Sequence, residues 1–149
     1  MEIGNDIDQW PCFDVDGMLG RLAKWLRILG FDAAYPRSAP SGEKYFVTTR
    51  KQERIPQILI VTANDSMEQL KEVLTAIRVR PNPGLFFSRC LICNTPVVKI
   101  PRDDVFGQVP EQIFASRSEF HKCPQCGRVY WEGSHLSRAI RRLKSVGLL

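Results

Sequence analysis

Two Cys-x-x-Cys pairs constrain the fold of this chain more than any other feature. Cys90 and Cys93 form the first pair, and Cys123 and Cys126 form the second. Two thiolates three residues apart on a tight turn bind one edge of a tetrahedral ion, so two such knuckles supply four sulfur ligands at about 2.3 Å from zinc. Four protein ligands leave no open position for a substrate. We therefore interpret the cysteines as a structural zinc site.

The alternative for four cysteines is a disulfide framework, which is typical of secreted domains. Residues 1–10 are acidic and polar and do not resemble a secretory or transit peptide. The fifth cysteine, Cys12, has no evident partner and is most simply a small hydrophobic residue on a strand. No apolar run approaches the roughly 20 residues of a membrane-spanning helix, so we expect a cytoplasmic protein without a membrane partner.

The formal net charge of +5 is unevenly distributed along the 149 residues. Residues 1–36 carry six acids and three bases, whereas residues 81–149 carry ten bases and five acids. A positive surface attracts phosphate backbones, which favours RNA as a partner. A solvated basic face that keeps the protein soluble explains the charge equally well.

Residue periodicity predicts an α/β arrangement in the first half of the chain. Residues 12–16 alternate as in a strand, Gly17 ends this strand, and a helix with apolar residues at helical spacing follows until a left-handed C-cap at Gly30. Three further strands and a capped helix are predicted at residues 31–35, 45–49, 58–62 and 64–77. Strands that alternate with helices indicate a mostly parallel sheet flanked by helices.

A segment rich in Pro and Gly at residues 80–84 predicts a boundary between a domain at 11–80 and a second domain at 81–149. The second domain is predicted to contain a zinc ribbon and a basic C-terminal helix. Strands are expected at residues 96–100 and 129–131, and a short helix at 110–114. The last helix is expected from residue 134 onward, capped by Ser134.

Two acids end the first predicted strand. Asp14 and Asp16 lie where parallel α/β sheets usually place their sites, in the crevice beyond the strand ends. Carboxylates that converge there hold Mg²⁺ or Mn²⁺, and a nuclease of this type uses about three or four acids. Further candidates are Asp32, Glu43, Asp65 and Glu68. Two aspartates near a turn also serve as helix caps or solvated strand ends, and this alternative stays open.

Candidate RNA-facing residues cluster after the second knuckle. Tyr130 and Trp131, beside Arg128, form either a stacking platform for unpaired bases or part of the ribbon core. His121 and His135 are more simply packing or RNA-facing groups than zinc ligands. The last helix carries four bases and no acid: Arg138, Arg141, Arg142 and Lys144.

Three passages resemble one family. FDVDGMLGRLAKWLRILGFD at residues 13–32 is similar to the opening of the Mut7-C ribonuclease domain, RCLICN at 89–94 to its first knuckle, and CPQCGRVYWEGSH at 123–135 to its second. The resemblance implies a PIN-like α/β domain with a C-terminal zinc ribbon. It also implies metal-dependent ribonuclease activity, with the first acid of the site at Asp16.

The chain departs from this family at two places. Residues 36–42 stand where the family continues into an acidic stretch and another helix, and Thr49-Arg50-Lys51 stands where the family usually reads Thr-Arg-Asp. A lysine cannot replace a carboxylate as a ligand of Mg²⁺. Cleavage is therefore expected to be weak or absent, unless other acids join Asp16.

Three functional hypotheses follow. In the first, the chain is a metal-dependent ribonuclease in which Asp16, with Asp14 or Asp32, holds Mg²⁺ or Mn²⁺. In the second, Lys51 and Arg50 have turned the site into a phosphate-binding pocket of an inactive RNA-binding module. In the third, the chain is a zinc-stabilised protein-interaction domain, which scattered basic residues would favour.

Overall fold

The computed structural model describes residues 10–52 and 55–149. Contacts between Cα atoms group these residues into two compact units that divide after Val79. The second unit contains Arg80–Leu149 and, in addition, Arg27–Gly30 at the end of the first helix. Each unit has its own sheet, and they are described separately below.

The first unit is an α/β unit whose elements follow one another as the periodicity predicts. Its strands and helices are β1 (Cys12–Asp16), α1 (Gly20–Ile28), β2 (Asp32–Arg37), β3 (Tyr45–Thr48), β4 (Ile58–Ile60) and α2 (Ser66–Ile77). The predicted ends differ from these bounds by a few residues at most.

All strand pairs of the first sheet are parallel, in the order β2-β1-β3-β4, which confirms the predicted sheet type. The central strand β1 is buried from Phe13 to Asp16, with Phe13 and Val15 fully buried and Asp14 and Asp16 each 2% exposed. Buried parallel strands are covered on both faces, so apolar residues alone normally fill them. The two aspartates are therefore the unusual feature of this strand.

Both helices of the first unit have the expected caps. Gly30 ends α1 with a φ of +91°, in the left-handed region that its lack of a Cβ permits. Asp65 is the N-cap of α2 and accepts hydrogen bonds from the backbone N–H groups of Met67 and Glu68. The predicted apolar stripe of α2 is buried at Met67, Leu70, Val73 and Leu74.

The second unit contains a three-stranded antiparallel sheet in the order β5-β6-β7. Its strands and helices are β5 (Val98–Ile100), α3 (Glu111–Ser116), β6 (Phe120–Lys122), β7 (Val129–Tyr130) and α4 (Ser134–Ser145). The hairpin predicted around the second knuckle is formed by β6 and β7, and β5 adds a third strand. None of the helices in the described ranges is long and apolar enough to cross a membrane.

The prediction that Ser134 caps the last helix is wrong. Gly133 is the N-cap, in an extended conformation, and no side chain accepts a hydrogen bond from the first turn of α4. Because the N-cap is the last residue with non-helical backbone angles, Ser134 is already the first residue of the helix.

We expect Gly30→Ala to destabilise the protein more than Gly42→Ala. Both glycines have a φ near +90°, which costs an L-residue about 1–2 kcal/mol. A Cβ at Gly30 would lie 2.5 Å from the carbonyl oxygen of Leu85 and 2.9 Å from Oγ of Ser88, whereas a Cβ at Gly42 meets no atom within 4 Å. Overpacking of this kind adds about 1–3 kcal/mol. Urea denaturation of the two variants measures the difference, and equal midpoints would contradict the close approach at Gly30.

Candidate functional site

The four knuckle cysteines meet in the second unit. Their Sγ atoms all lie within 4.8 Å of one another, and those of Cys90 and Cys126 are 3.7 Å apart. Four sulfurs at about 2.3 Å from a tetrahedral zinc ion are separated by about 3.8 Å, so the spacing fits that ion. None of the five cysteines forms a disulfide, and Cys12 is not part of the cluster. The cluster can therefore hold zinc as the sequence predicts.

The two knuckles are built in the same way. Within the first, the backbone N–H of Asn94 donates to the carbonyl of Cys90, and the N–H of Cys90 donates to the carbonyl of Thr95. Corresponding bonds join Gly127 to Cys123 and Cys123 to Arg128. The residue after each pair, Asn94 or Gly127, has a positive φ of 64° or 79°, which Asn and Gly tolerate best. This repeated turn explains why the two short motifs produce matching ligand pairs.

Hydrogen bonds make the cysteines of the first knuckle unequal. Burial raises the pKa of the Cys90 thiol, but hydrogen bonds from the Tyr130 hydroxyl and the Cys93 backbone outweigh burial and lower this pKa to about 6. Burial and hydrogen bonds with the neighbouring thiols raise the pKa of Cys93 to about 12. Cys90 is thus prepared as a thiolate, and Tyr130 helps to prepare it.

The first unit brings Asp16 to the carboxyl end of β1, as predicted. Its Oδ2 accepts a hydrogen bond from Oγ1 of Thr48 at 2.7 Å and lies 3.4 Å from Nε of Arg50. The backbone N–H of Arg50 also donates to Oγ1 of Thr48, which fixes the hydroxyl between the two residues. Among the described residues, no hydrogen bond or ion pair engages Oδ1 of Asp16.

Asp14 is held in the same manner, by residues of β2 and of the loop that follows β2. Its Oδ2 accepts a hydrogen bond from Oγ of Ser41 at 2.6 Å, and its Oδ1 lies 3.5 Å from Nε of Arg37. Both aspartates are 2% exposed, whereas more than half of each arginine side chain is exposed. Each buried carboxylate therefore has one hydroxyl and one solvated guanidinium as partners.

The structure does not bring Asp32 to this edge. Asp32 begins β2 and pairs with Cys12, four residues before Asp16 on β1, and four residues of strand span about 13 Å. It lies 3.8 Å from Nζ of Lys44. Apart from the four cysteines, no group of three or more His, Cys, Asp or Glu side chains in residues 10–52 and 55–149 is close enough to hold a metal. The carboxyl end of β1 thus has two acids, Asp14 and Asp16.

Lys51 lies beside a cavity next to this edge. The cavity has a volume of about 700 Å³, and Lys51, Thr49, Gln52 and Met18 are among its lining residues. Lys51 and Arg50 are both exposed. The cavity wall is therefore basic at the position where the family resemblance leads one to expect an acid.

The basic residues of the last helix share one face. Arg138, Arg141 and Arg142 are spaced as neighbours on a helix surface and are exposed, while Ala139 and Leu143 are buried on the other side. Arg128 is exposed near the second knuckle. The three arginines of α4 are gathered on one face rather than scattered, which speaks against the third hypothesis.

Several residues of the carboxylate edge were not predicted from the sequence. Thr48, Ser41 and Arg37 contact the aspartates through strand pairing and a loop, and no short motif marks them. Tyr130 was predicted to stack on bases or to join the core. The sequence does not show that its hydroxyl donates to Sγ of Cys90 at 3.1 Å and accepts from the N–H of Leu91 at 3.1 Å.

Comparison with known protein families gives one match, to the Mut7-C RNAse domain, over residues 11–143. The chain belongs to the Mut7-C RNAse domain family. The match covers both units described above, including the two aspartates and all four knuckle cysteines. No curated protein and no solved structure matches the chain.

Membership of the Mut7-C family supports a ribonuclease-type function in general terms and RNA as the substrate class. The predicted fold is confirmed: a mixed α/β unit with a parallel sheet is followed by a four-cysteine cluster in the C-terminal part.

We expect one zinc ion per chain and expect Cys123→Ser to abolish it, because a buried ligand is lost. In sites of this kind, metal binding supplies about 10–16 kcal/mol of folding free energy, so the second unit should lose its secondary structure. Cys12→Ser is the matched control and should keep the zinc, since Cys12 lies outside the cluster. Elemental analysis and circular dichroism measure both effects. A purified protein without zinc and with unchanged stability would refute the site.

Proposed function

We propose that this chain is a ribonuclease-type protein that acts on RNA, with one Mg²⁺ or Mn²⁺ held by Asp16 and Asp14. The observation that carries the proposal is the pair of buried carboxylates at the carboxyl end of the central parallel strand, in a chain of the Mut7-C RNAse domain family. Parallel α/β sheets bind their ligands at this edge.

The donor chemistry fits a hard divalent ion. Mg²⁺ is commonly bound through one or two carboxylates, with waters and substrate phosphates as the remaining ligands. Oδ1 of Asp16 accepts no hydrogen bond from a described residue, so it is available as a ligand. When bound, such an ion activates water and stabilises the leaving oxygen in phosphodiester cleavage.

The neighbouring side chains orient the two acids. Thr48 and Ser41 each donate a short hydrogen bond to one oxygen of Asp16 and Asp14, which leaves the second oxygen of each carboxylate to face other partners. Arg50 and Arg37 are more than half exposed, so they can move from the carboxylates to RNA phosphates at little desolvation cost.

The second unit supplies RNA contacts in this proposal. The exposed bases Arg128, Arg138, Arg141 and Arg142 bind phosphates, and the four cysteines hold a structural zinc ion.

The test is cleavage of a labelled single-stranded RNA by the full chain with Mg²⁺ or Mn²⁺. We expect Asp16→Asn to reduce the rate by at least about 100-fold, because an ion in such a site contributes several kcal/mol of charge stabilisation. Asp32→Asn is the matched control, since it removes an acid from the neighbouring strand at the other end of the sheet.

Cleavage should stop when the divalent ion is withdrawn and recover when Mn²⁺ is added. Equal rates for Asp16→Asn and Asp32→Asn, or cleavage that needs no divalent ion, would contradict the proposal.

A second candidate function is an RNA-binding module without catalysis. Arg50 and Arg37 pair with the two acids at 3.4 and 3.5 Å, and Lys51, which follows Arg50 in the chain, adds a third positive charge. These charges oppose a divalent ion and attract phosphate. The loss of the acid expected at residue 51 gives this candidate its chemical basis.

For this candidate we expect RNA binding that needs no Mg²⁺ and weakens steeply with salt. Lys51→Ala should lower the slope of log Kd against log salt by about 0.7, the value for one phosphate contact on a single strand. Lys71→Ala removes an exposed lysine of α2 that does not line the cavity beside Lys51, and it should leave the slope unchanged. Binding that requires Mg²⁺ would count against the candidate.

A further inference from the structure

The second unit has a pocket of about 370 Å³ with aromatic walls. Phe86, Phe87, Tyr130 and Trp131 line it. Phe86 is buried, whereas the other three aromatic side chains are half-buried and expose part of their surface. Pockets that bind small molecules typically measure about 300–1,000 Å³, so this one is suited to a single compact group.

Two of the walls are held in place by unusual contacts. The Tyr130 hydroxyl bonds both to Sγ of Cys90 and to the N–H of Leu91, so its ring cannot turn freely. Phe87 has a φ of +58°, a strained conformation for a bulky residue, and its N–H donates to the carbonyl of Ile28 at 2.8 Å. Strain of this kind concentrates at binding sites, where the surrounding structure maintains it.

The polar side chains of the pocket include both histidines of the chain and two glutamates. His121 pairs directly with Tyr130 across the β6–β7 ladder, so both side chains lie on the same face of the sheet. Glu119 is paired with Lys99, whereas no hydrogen bond or ion pair from the described residues engages the Glu132 carboxylate. No lysine or arginine lines the pocket. A phosphate would therefore meet two carboxylates there, of which only that of Glu119 has a cation as partner.

We propose that this pocket binds one unpaired nucleobase of an RNA strand, with guanine preferred. RNA-binding proteins recognise single strands by stacking splayed-out bases on Phe, Tyr, Trp and His side chains and by hydrogen bonds to the base edges. The proposal rests on the proposed action on RNA and adds a base-recognition site to it.

The preference for guanine follows from the charged groups. An ionised carboxylate only accepts hydrogen bonds. The Watson–Crick edge of guanine presents two adjacent donors, N1–H and the N2 amino group, which a carboxylate such as that of Glu132 accepts together. Uracil, cytosine and adenine each offer a single donor group on that edge.

An aromatic pocket with carboxylates also suits a cationic side chain of a protein partner. The neighbouring helix argues against it. His135 lines the pocket, and Arg138 and Arg142 follow it at one and two turns on the same face of α4. This face repels a basic peptide and attracts the phosphates on either side of a bound base.

The experiment compares the affinity of the full, zinc-containing chain for three RNA decamers, without added Mg²⁺ or Mn²⁺. One decamer is all uridine, and the others carry a central guanosine or adenosine. We expect guanosine to strengthen binding by about 5- to 150-fold over uridine, the range for one stacked or hydrogen-bonded base. Adenosine should give a smaller gain, since it lacks the donor pair.

Two variants test the pocket itself. Trp131→Leu should abolish the guanosine gain, and Glu132→Gln should reduce the preference for guanosine over adenosine while keeping part of the stacking. Neither should change the slope of log Kd against log salt, because no phosphate contact is lost. Phe106→Leu is the matched control, an aromatic residue of the same unit that is 75% exposed and lies outside the pocket. The zinc content of each variant reports whether the second unit is folded. If Trp131→Leu loses zinc, Glu132→Gln serves as the test, because Glu132 is exposed.

The outcomes separate this inference from the proposed function. If the chain binds all three decamers with equal affinity, the base pocket alone is overturned, whether or not the chain cleaves RNA. Absence of RNA binding at low salt with every decamer, both without and with added Mg²⁺, overturns both. The inference is also overturned if an arginine-rich peptide binds the wild type but not Trp131→Leu while both proteins bind RNA with the same affinity. The pocket would then be a protein-binding site. An equal loss of the guanosine gain in Phe106→Leu and Trp131→Leu also overturns the inference.

Discussion

The burial of two carboxylates in the central strand is the constraint on which the first unit depends. A buried charge is tolerated only when it is paired and hydrogen-bonded. Asp14 and Asp16 meet this condition through one hydroxyl and one guanidinium each, drawn from β2, β3 and the loops that follow these strands. The contacts that make burial tolerable therefore surround the atoms that the proposed chemistry needs. Stability and function compete for the same carboxylate oxygens.

The four thiols have a comparable role in the second unit. Its strands are two or three residues long, and its buried residues are few, so apolar packing alone gives it a small core. Cys90 and Cys123 are fully buried, whereas Cys126 is exposed, so the cluster lies between this core and solvent. The Tyr130 hydroxyl joins the thiol cluster to the aromatic pocket. Loss of the metal should thus loosen a pocket wall as well as the knuckles.

The features that were predictable from the sequence are local in the chain. The Cys-x-x-Cys turns, the alternation in β1 and the cap at Asp65 each depend on residues within a few positions of one another. The partners of the aspartates depend instead on strand register. Arg37, the ion-pair partner of Asp14, is level with Asp16 because β1 and β2 shift register between Asp14 and Asp16. Asp32 is remote because it begins a parallel strand at the other end of the sheet. The pocket likewise joins Phe86 and Phe87 to residues more than 40 positions later, which no short motif records.

The arginine pairs do not by themselves exclude a divalent ion. Arg37 and Arg50 lie more than half in solvent, and ion pairs with exposed partners contribute only about 0–1 kcal/mol. A doubly charged ion attracts a carboxylate more strongly than a guanidinium at the same distance does. The number of acids is the stronger limit, because each further carboxylate would help to replace the water that Mg²⁺ gives up. With two acids at the edge, any catalysis depends on phosphate oxygens of the RNA to complete the ion's ligands. Substrate binding and metal binding should therefore be cooperative in this chain.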